Sequence, residues 1–243
     1  KDLGAEVILK GDNFDEAYEF AVNYAKEKDM TFVHPFNDEY VMAGQGTVGL
    51  EMLDEISDLD MVVVPVGGGG LASGVASCIK QVNPKTKVVC VGAKGAPAMF
   101  NSYGAKKSIN SKSVRTIADG IAVRDASEIT LKNIVECVDE FVQVDDEEIA
   151  TAILFLLETQ KIVVEGAGAA GGQYFDVGGV SVAEGFLCNL WGFAAFCQLQ
   201  LCLHRAGKRF FQHGFRAMAA DRVAVDVFPV QPVGKLRLYG RRH

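Results

Sequence analysis

The stretch VVVPVGGGGLASG, Val62–Gly74, constrains the fold of this chain more than any other segment. Apolar residues from Met61 to Val66 suit a strand covered on both faces of a parallel sheet. Four consecutive glycines follow, then a run from Leu71 to Val82 that is expected to be helical. Glycine loses more conformational freedom on folding than any other residue, so four in a row demand a reason. Strand, glycine loop and helix start together make an anion site, because unpaired N–H groups point outward and the helix dipole favours negative charge. With no side chains in the way, several amides can converge on one anion.

Three phosphate ligands compete for such a loop. A nucleoside triphosphate loop needs a Lys followed by Ser or Thr after the last glycine, and Leu71-Ala72 stands there instead. A dinucleotide fingerprint fits better, since Gly67-x-Gly69-x-x-Ala72 matches its spacing. That site also needs a carboxylate about 20 residues on for the ribose hydroxyls. The next strand, Lys87–Val91, runs into Gly92-Ala93 and offers none. A compact monophosphate, such as the ester of a cofactor, asks only for backbone amides. The most literal GxGxxG, Gly44-Gln45-Gly46-Thr47-Val48-Gly49, follows HPFNDEYVMA, which is no buried strand, so close helix packing accounts for it.

The surrounding chain alternates strand and helix patterns. Ala5–Leu9 and Thr31–Val33 read as short strands, with Asn13 as N-cap and Glu16 closing a capping box between them. Val48, Leu50, Met52, Leu53 and Ile56 give a packed helix over Gly46–Ile56. Val138–Val144 reads as a strand, and Asp145 with Glu148 caps a helix running through Glu158. This alternation predicts an α/β fold with a mostly parallel, helix-covered sheet.

Composition divides the chain near residue 170. Residues 1–170 hold 13 Lys and 2 Arg against 27 acidic residues, a net of −12. Residues 171–243 hold 2 Lys and 7 Arg against 4 acidic residues, a net of +5. Exchanging Lys for Arg has no folding rationale, so the second part reads as an atypical tail, frame-shifted or foreign to the domain. The net charge of −7 argues against a nucleic-acid partner. Leu187–Leu203 is apolar, but Asn189, Gln198 and Gln200 interrupt it and it is short for a span, so no membrane partner is expected. Six cysteines without CxxC or zinc spacing read as reduced thiols of a cytoplasmic protein.

Five motifs then occur in order: His34-Pro35-Phe36, Ala43-Gly44-Gln45-Gly46-Thr47 with Glu51, Val64-Pro65-Val66-Gly67-Gly68-Gly69-Gly70-Leu71, Thr116-Ile117-Ala118-Asp119-Gly120-Ile121-Ala122-Val123, and Val164-Glu165-Gly166-Ala167-Gly168-Ala169. Over residues 1–170 the set resembles the pyridoxal-phosphate-dependent threonine dehydratases (threonine ammonia-lyases) and the related serine racemases and serine dehydratases. The resemblance implies a fold type II enzyme with pyridoxal 5′-phosphate as cofactor. Residues 1–43 would be a remnant of its smaller domain and 44–170 its phosphate-binding domain. It further implies β-elimination of threonine to 2-oxobutanoate and ammonia, or of serine to pyruvate, in a parent that is a homo-oligomer. Backbone amides of Gly67, Gly68, Gly69, Gly70 and Leu71 would hold the cofactor's phosphate. Gly120 would pass near its ring through the backbone, and Glu165 would lie close to the ring at a helix start or serve as a cap.

The resemblance also sets out what is not here. The family's Schiff-base lysine and its substrate-carboxylate loop belong to motifs expected upstream of Lys1, so no catalytic residue is assigned and the isolated chain is expected to be inactive. Lys10, Lys80, Lys94 and Lys161 match no such motif and read as solvated surface residues. Gly178-Gly179-Val180-Ser181 is not the family's Ser-Gly-Gly-Asn turn, and Gly92 replaces an acidic or amide residue, so no metal site is expected. Two alternatives stand beside the lyase: an NAD-binding Rossmann oxidoreductase and a non-catalytic phosphate-binding module.

Overall fold

The computed structural model describes residues 5–11, 14–56, 58–177, 185–189 and 200–204, which fall into two compact units divided between Val33 and His34. In the first unit, helix α1 (Phe14–Glu27) buries Ala25, and Tyr18 meets Phe32 edge-on at 5.5 Å. Neither strand expected here forms. Residues 5–10 and 30–34 carry no ladder, and Leu9 is 90% exposed, so β-branched composition without a partner edge or buried face was not enough. Asn13, the expected N-cap, lies outside the described residues.

The second unit holds the remaining elements. Helix α2 (Glu39–Glu55) starts earlier than expected, because Asp38 adopts an extended backbone and caps it: its Oδ1 accepts the N–H groups of Tyr40 at 2.8 Å and Val41 at 3.0 Å. Strand β1 (Met61–Pro65) leads through the glycines into helix α3 (Gly70–Val82), followed by strand β2 (Lys87–Ala93) and helix α4 (Ala98–Ala105). A 3₁₀ turn (Asp119–Ile121), helix α5 (Glu128–Cys137), strand β3 (Glu140–Val144) and helix α6 (Asp146–Gln160) come next. The Asp145–Glu148 capping box forms as expected. Helix α7 (Gly166–Val177) and strands β4 (Gly185–Asn189) and β5 (Gln200–His204) complete the described elements.

The sheet order is β3-β2-β1-β5-β4. Strands β1, β2 and β3 are parallel, with Val62 beside Val88 and Cys90 beside Phe141. On the other side of β1 the backbone of β5 pairs antiparallel, and β4 pairs antiparallel with β5. The expected parallel core therefore carries an antiparallel pair at one edge, within the stretch that reads as a foreign tail.

Alternation along the strands sends side chains to two cores. Val62, Val64, Val88, Cys90 and Phe141 join Ile79 and Val75 of α3 and Ile134 of α5 on one face. Val63, Val89, Val91 and Val144 join Ile149 and Leu156 of α6 and Ala169 and Ala170 of α7 on the other. This two-sided burial is why β1 and β2 read as unbroken apolar runs. In the Gly44–Gly49 motif two glycines are packing residues: a side chain at Gly46 would press on the Gly74 carbonyl, and one at Gly49 on Cys78 and the Val75 carbonyl. Gly44 is exposed, with open space where a Cβ would stand, so helix packing does not account for it.

Candidate functional site

Loops from the C-terminal ends of β1 and β3 and the start of α7 meet at one end of the sheet. The ladder continues one residue past β1, where Val66 N–H donates to the Val91 carbonyl at 2.8 Å, and then the glycines turn away. Gly69 has φ +89° and ψ 0°, a backbone that residues with a side chain rarely adopt. A Cβ there would also stand 2.8 Å from Ile134 Cδ1. Gly68 is required for another reason: Phe36 lies so close that a Cβ would reach 2.5 Å from its ring. The Phe36 turn is held by His34, whose Nδ1 accepts the N–H of Phe36 at 3.2 Å and of Asn37 at 2.9 Å. Burial holds the His34 pKa below its ordinary value of 6.5, against an opposing pull from Asp38.

Gly69 occupies the N-cap position of α3 and has no side chain to cap it. Among the described residues, the N–H groups of Gly67, Gly68, Gly69, Gly70 and Leu71 have no hydrogen-bond acceptor, although Gly68, Gly69 and Gly70 are buried. Buried amides are nearly always satisfied, so a row of open ones has the donors to hold an anion. The residues present therefore fit a phosphate group.

The other expected site residues converge on this loop. A Cβ on Gly67 would stand 2.8 Å from Ile121 Cα, which places the 3₁₀ turn against the first glycine. Beside Ile121, Gly120 faces Glu165: a Cβ there would lie 3.2 Å from Glu165 Oε1 and 3.0 Å from Ala167 Cβ. Glu165 is half-buried and immediately precedes α7, where its carbonyl accepts the Ala169 N–H at 3.0 Å. Asp146 pins the segment from the other side. Its Oδ1 accepts the Thr116 hydroxyl at 2.6 Å and the Ile117 N–H at 3.2 Å.

Lys10, Lys94 and Lys161 are exposed, as expected of surface lysines, and Lys80 is the exception. Lys94, directly after β2, bonds Asp145 at 2.9 Å and Glu148 at 3.2 Å, and these bonds raise its pKa. Lys80 is largely covered and bonds Asp139 at 2.6 Å and the Thr86 carbonyl at 2.8 Å. Lys161 donates to the Glu158 carbonyl at the end of α6, and Lys10 lies over the Phe20 ring within the first unit. Thr130 and Asp146 carry no sequence signal of their own, since the Thr130 bond to Gly68 spans 62 residues and the Asp146 bonds to Ile117 and Thr116 span 29 and 30. Gly178–Ser181 lies outside the described residues. Among the described residues, no group of three or more His, Cys, Asp or Glu could hold a metal ion, and no helix is long and apolar enough to cross a membrane.

Residues 1–175 of the 243 match the protein family described as pyridoxal-phosphate dependent enzyme. The chain belongs to that family. Its cofactor is pyridoxal phosphate and its architecture is fold type II. Over 171 residues the chain is 50% identical to the L-threonine ammonia-lyase of Thermotoga maritima, an alignment covering 70% of this chain and 43% of the relative. Among solved structures it is similar to the processed form of threonine deaminase isoform 2 from Solanum lycopersicum. That match has a TM-score of 0.68 and 35% identity, over 71% of this chain and 50% of the other. Maize serine racemase matches with a TM-score of 0.67 and 34% identity, over 70% and 51%. The chain spans less than half the length of the curated relatives it matches.

Proposed function

We propose that this chain carries the cofactor-phosphate site of an ammonia-lyase that eliminates the β-hydroxyl of L-threonine to give 2-oxobutanoate and ammonia, with L-serine as the smaller substrate. The observation that carries the reading is the row of buried amides without acceptors at Gly68–Gly70. The names of the relatives, L-threonine ammonia-lyase and threonine deaminase, supply the reaction. In this reading the N–H groups from Gly67 to Leu71 bind the phosphate of pyridoxal 5′-phosphate. The Gly120 backbone borders its ring, and the Glu165 carboxylate stands beside Gly120 at the same border.

When bound, the cofactor supplies an electron sink that permits loss of the Cα proton and then of the β-hydroxyl. The contribution of this chain is binding and orientation. The loop Gly67–Leu71 would hold the phosphate through backbone dipoles, since none of its five residues carries a charged side chain. No residue of these 243 is assigned the covalent role, and the chain by itself is proposed to be inactive.

Pyridoxamine 5′-phosphate tests the site without the aldehyde that attacks lysines at random. Calorimetric titration should show binding that pyridoxamine, which lacks the phosphate, does not match, and inorganic phosphate should compete. Tighter binding of NAD than of the phosphate ester would sink the reading in favour of a nicotinamide site.

A further inference from the structure

The peptide planes of the glycine loop are set by hydrogen bonds to its carbonyls from α3 and α5. Thr130, in the first turn of α5, is fully buried, and its Oγ1 donates to the Gly68 carbonyl at 2.8 Å. A helical threonine ordinarily turns its hydroxyl to a carbonyl three or four residues back. That local partner exists here, the Ser127 carbonyl, but it lies at 3.3 Å, and the shorter bond goes to a loop 62 residues away in sequence. Ser73 makes the second tie: its N–H donates to the Gly69 carbonyl at 2.8 Å and its Oγ to the Thr130 carbonyl at 3.1 Å.

No peptide in the described chain is cis. In a trans peptide the C=O and the following N–H point in opposite directions. Anchoring the Gly68 carbonyl on Thr130 therefore turns the Gly69 N–H away from α5, and anchoring the Gly69 carbonyl on the Ser73 N–H turns the Gly70 N–H away from the body of α3, out of its N-terminus. With ψ near 0° at Gly69, those two nitrogens lie on one side of its Cα, so their N–H groups converge as a nest does.

We propose that Thr130 is a positioning residue for the phosphate cradle, its buried hydroxyl holding the Gly68–Gly69 peptide in the one orientation that presents the Gly69 amide to the anion. The inference rests on the phosphate reading above and deepens it. Without the hydroxyl the Gly68–Gly69 peptide is free to rotate, and one charge-assisted hydrogen bond to the phosphate is weakened.

The test measures affinities of the chain for pyridoxamine 5′-phosphate and for pyridoxamine in T130V, which keeps the shape without the hydroxyl, and in T130S, which keeps the hydroxyl. T130V should bind the phosphate ester about tenfold to a hundredfold more weakly, the loss of one hydrogen bond to a charged group, while pyridoxamine affinity stays the same. T130S should return the phosphate ester to within about threefold of the native value. Should T130V fold poorly by circular dichroism, T130C fills similar space with a weak donor and should show the same selective loss. Native-like affinity in T130V, or equal losses in T130S and T130V, would overturn the role of the hydroxyl. Failure of the native chain to bind the phosphate ester would instead overturn the cradle itself, and the Thr130 proposal with it.

Discussion

His34 shows how one protonation state supports the site at a distance. Its Nδ1 must carry a lone pair to accept the Phe36 and Asn37 N–H groups, and a proton there would replace two acceptor contacts with repulsion. Burial lowers the pKa in the folded chain, so near the ordinary value of 6.5 the unfolded chain binds more protons than the folded one. The associated stability is therefore present above that value and is lost as pH falls through the lower folded pKa. Urea unfolding followed from about pH 8 to about pH 5 should show the midpoint dropping toward the acid end, and H34Q should flatten that part of the profile. An unchanged slope in H34Q would remove His34 from this role. The His-Pro-Phe motif is visible in the sequence, but the tie from the imidazole to the turn is not, because it depends on how the backbone folds back.

Between elements, Phe36 and the glycine loop are fitted to one another. G68A drives a methyl group to 2.5 Å from the Phe36 ring and should destabilise by about 1–3 kcal/mol through overpacking. The F36A/G68A pair should cost less than the sum of its members by about 0.5–3 kcal/mol, read from denaturant melts of all four chains. Strict additivity would mean that the loop moves aside without consequence. Helix starts marked by side chains are legible: Asp145 with Glu148 announces α6. The start of α2 at Asp38 is of the same kind, yet the glycine-rich stretch after it obscures the helix. Helix α7 has weak local signals, with four glycines in its first seven residues, and it forms because Gly166–Gly171 are buried against β1 and α6.

Across the second unit, stability resides in the two cores rather than in surface charge. Ile79 has no exposed surface, so I79A should cost about 2–5 kcal/mol. Lys87 and Glu140 bond at 2.6 Å but are each some 40% exposed, so K87M should cost less than about 1 kcal/mol. Reversal of that order in denaturant melts would contradict the layered core. By itself the sequence determined the α/β class, the strands at residues 61, 87 and 140, and the glycine turn that joins β1 to α3. Those depend on local properties: side-chain period, capping residues and the glycine run itself. The tertiary structure decided that β5 and β4 extend the sheet antiparallel, that the first unit has no strand among its described residues, and that Gly120 and Glu165 meet beside Gly67. It also decided which way the loop's amides face, because the Thr130 and Ser73 bonds that turn them join groups brought together only by packing α3 and α5 on one face of the sheet.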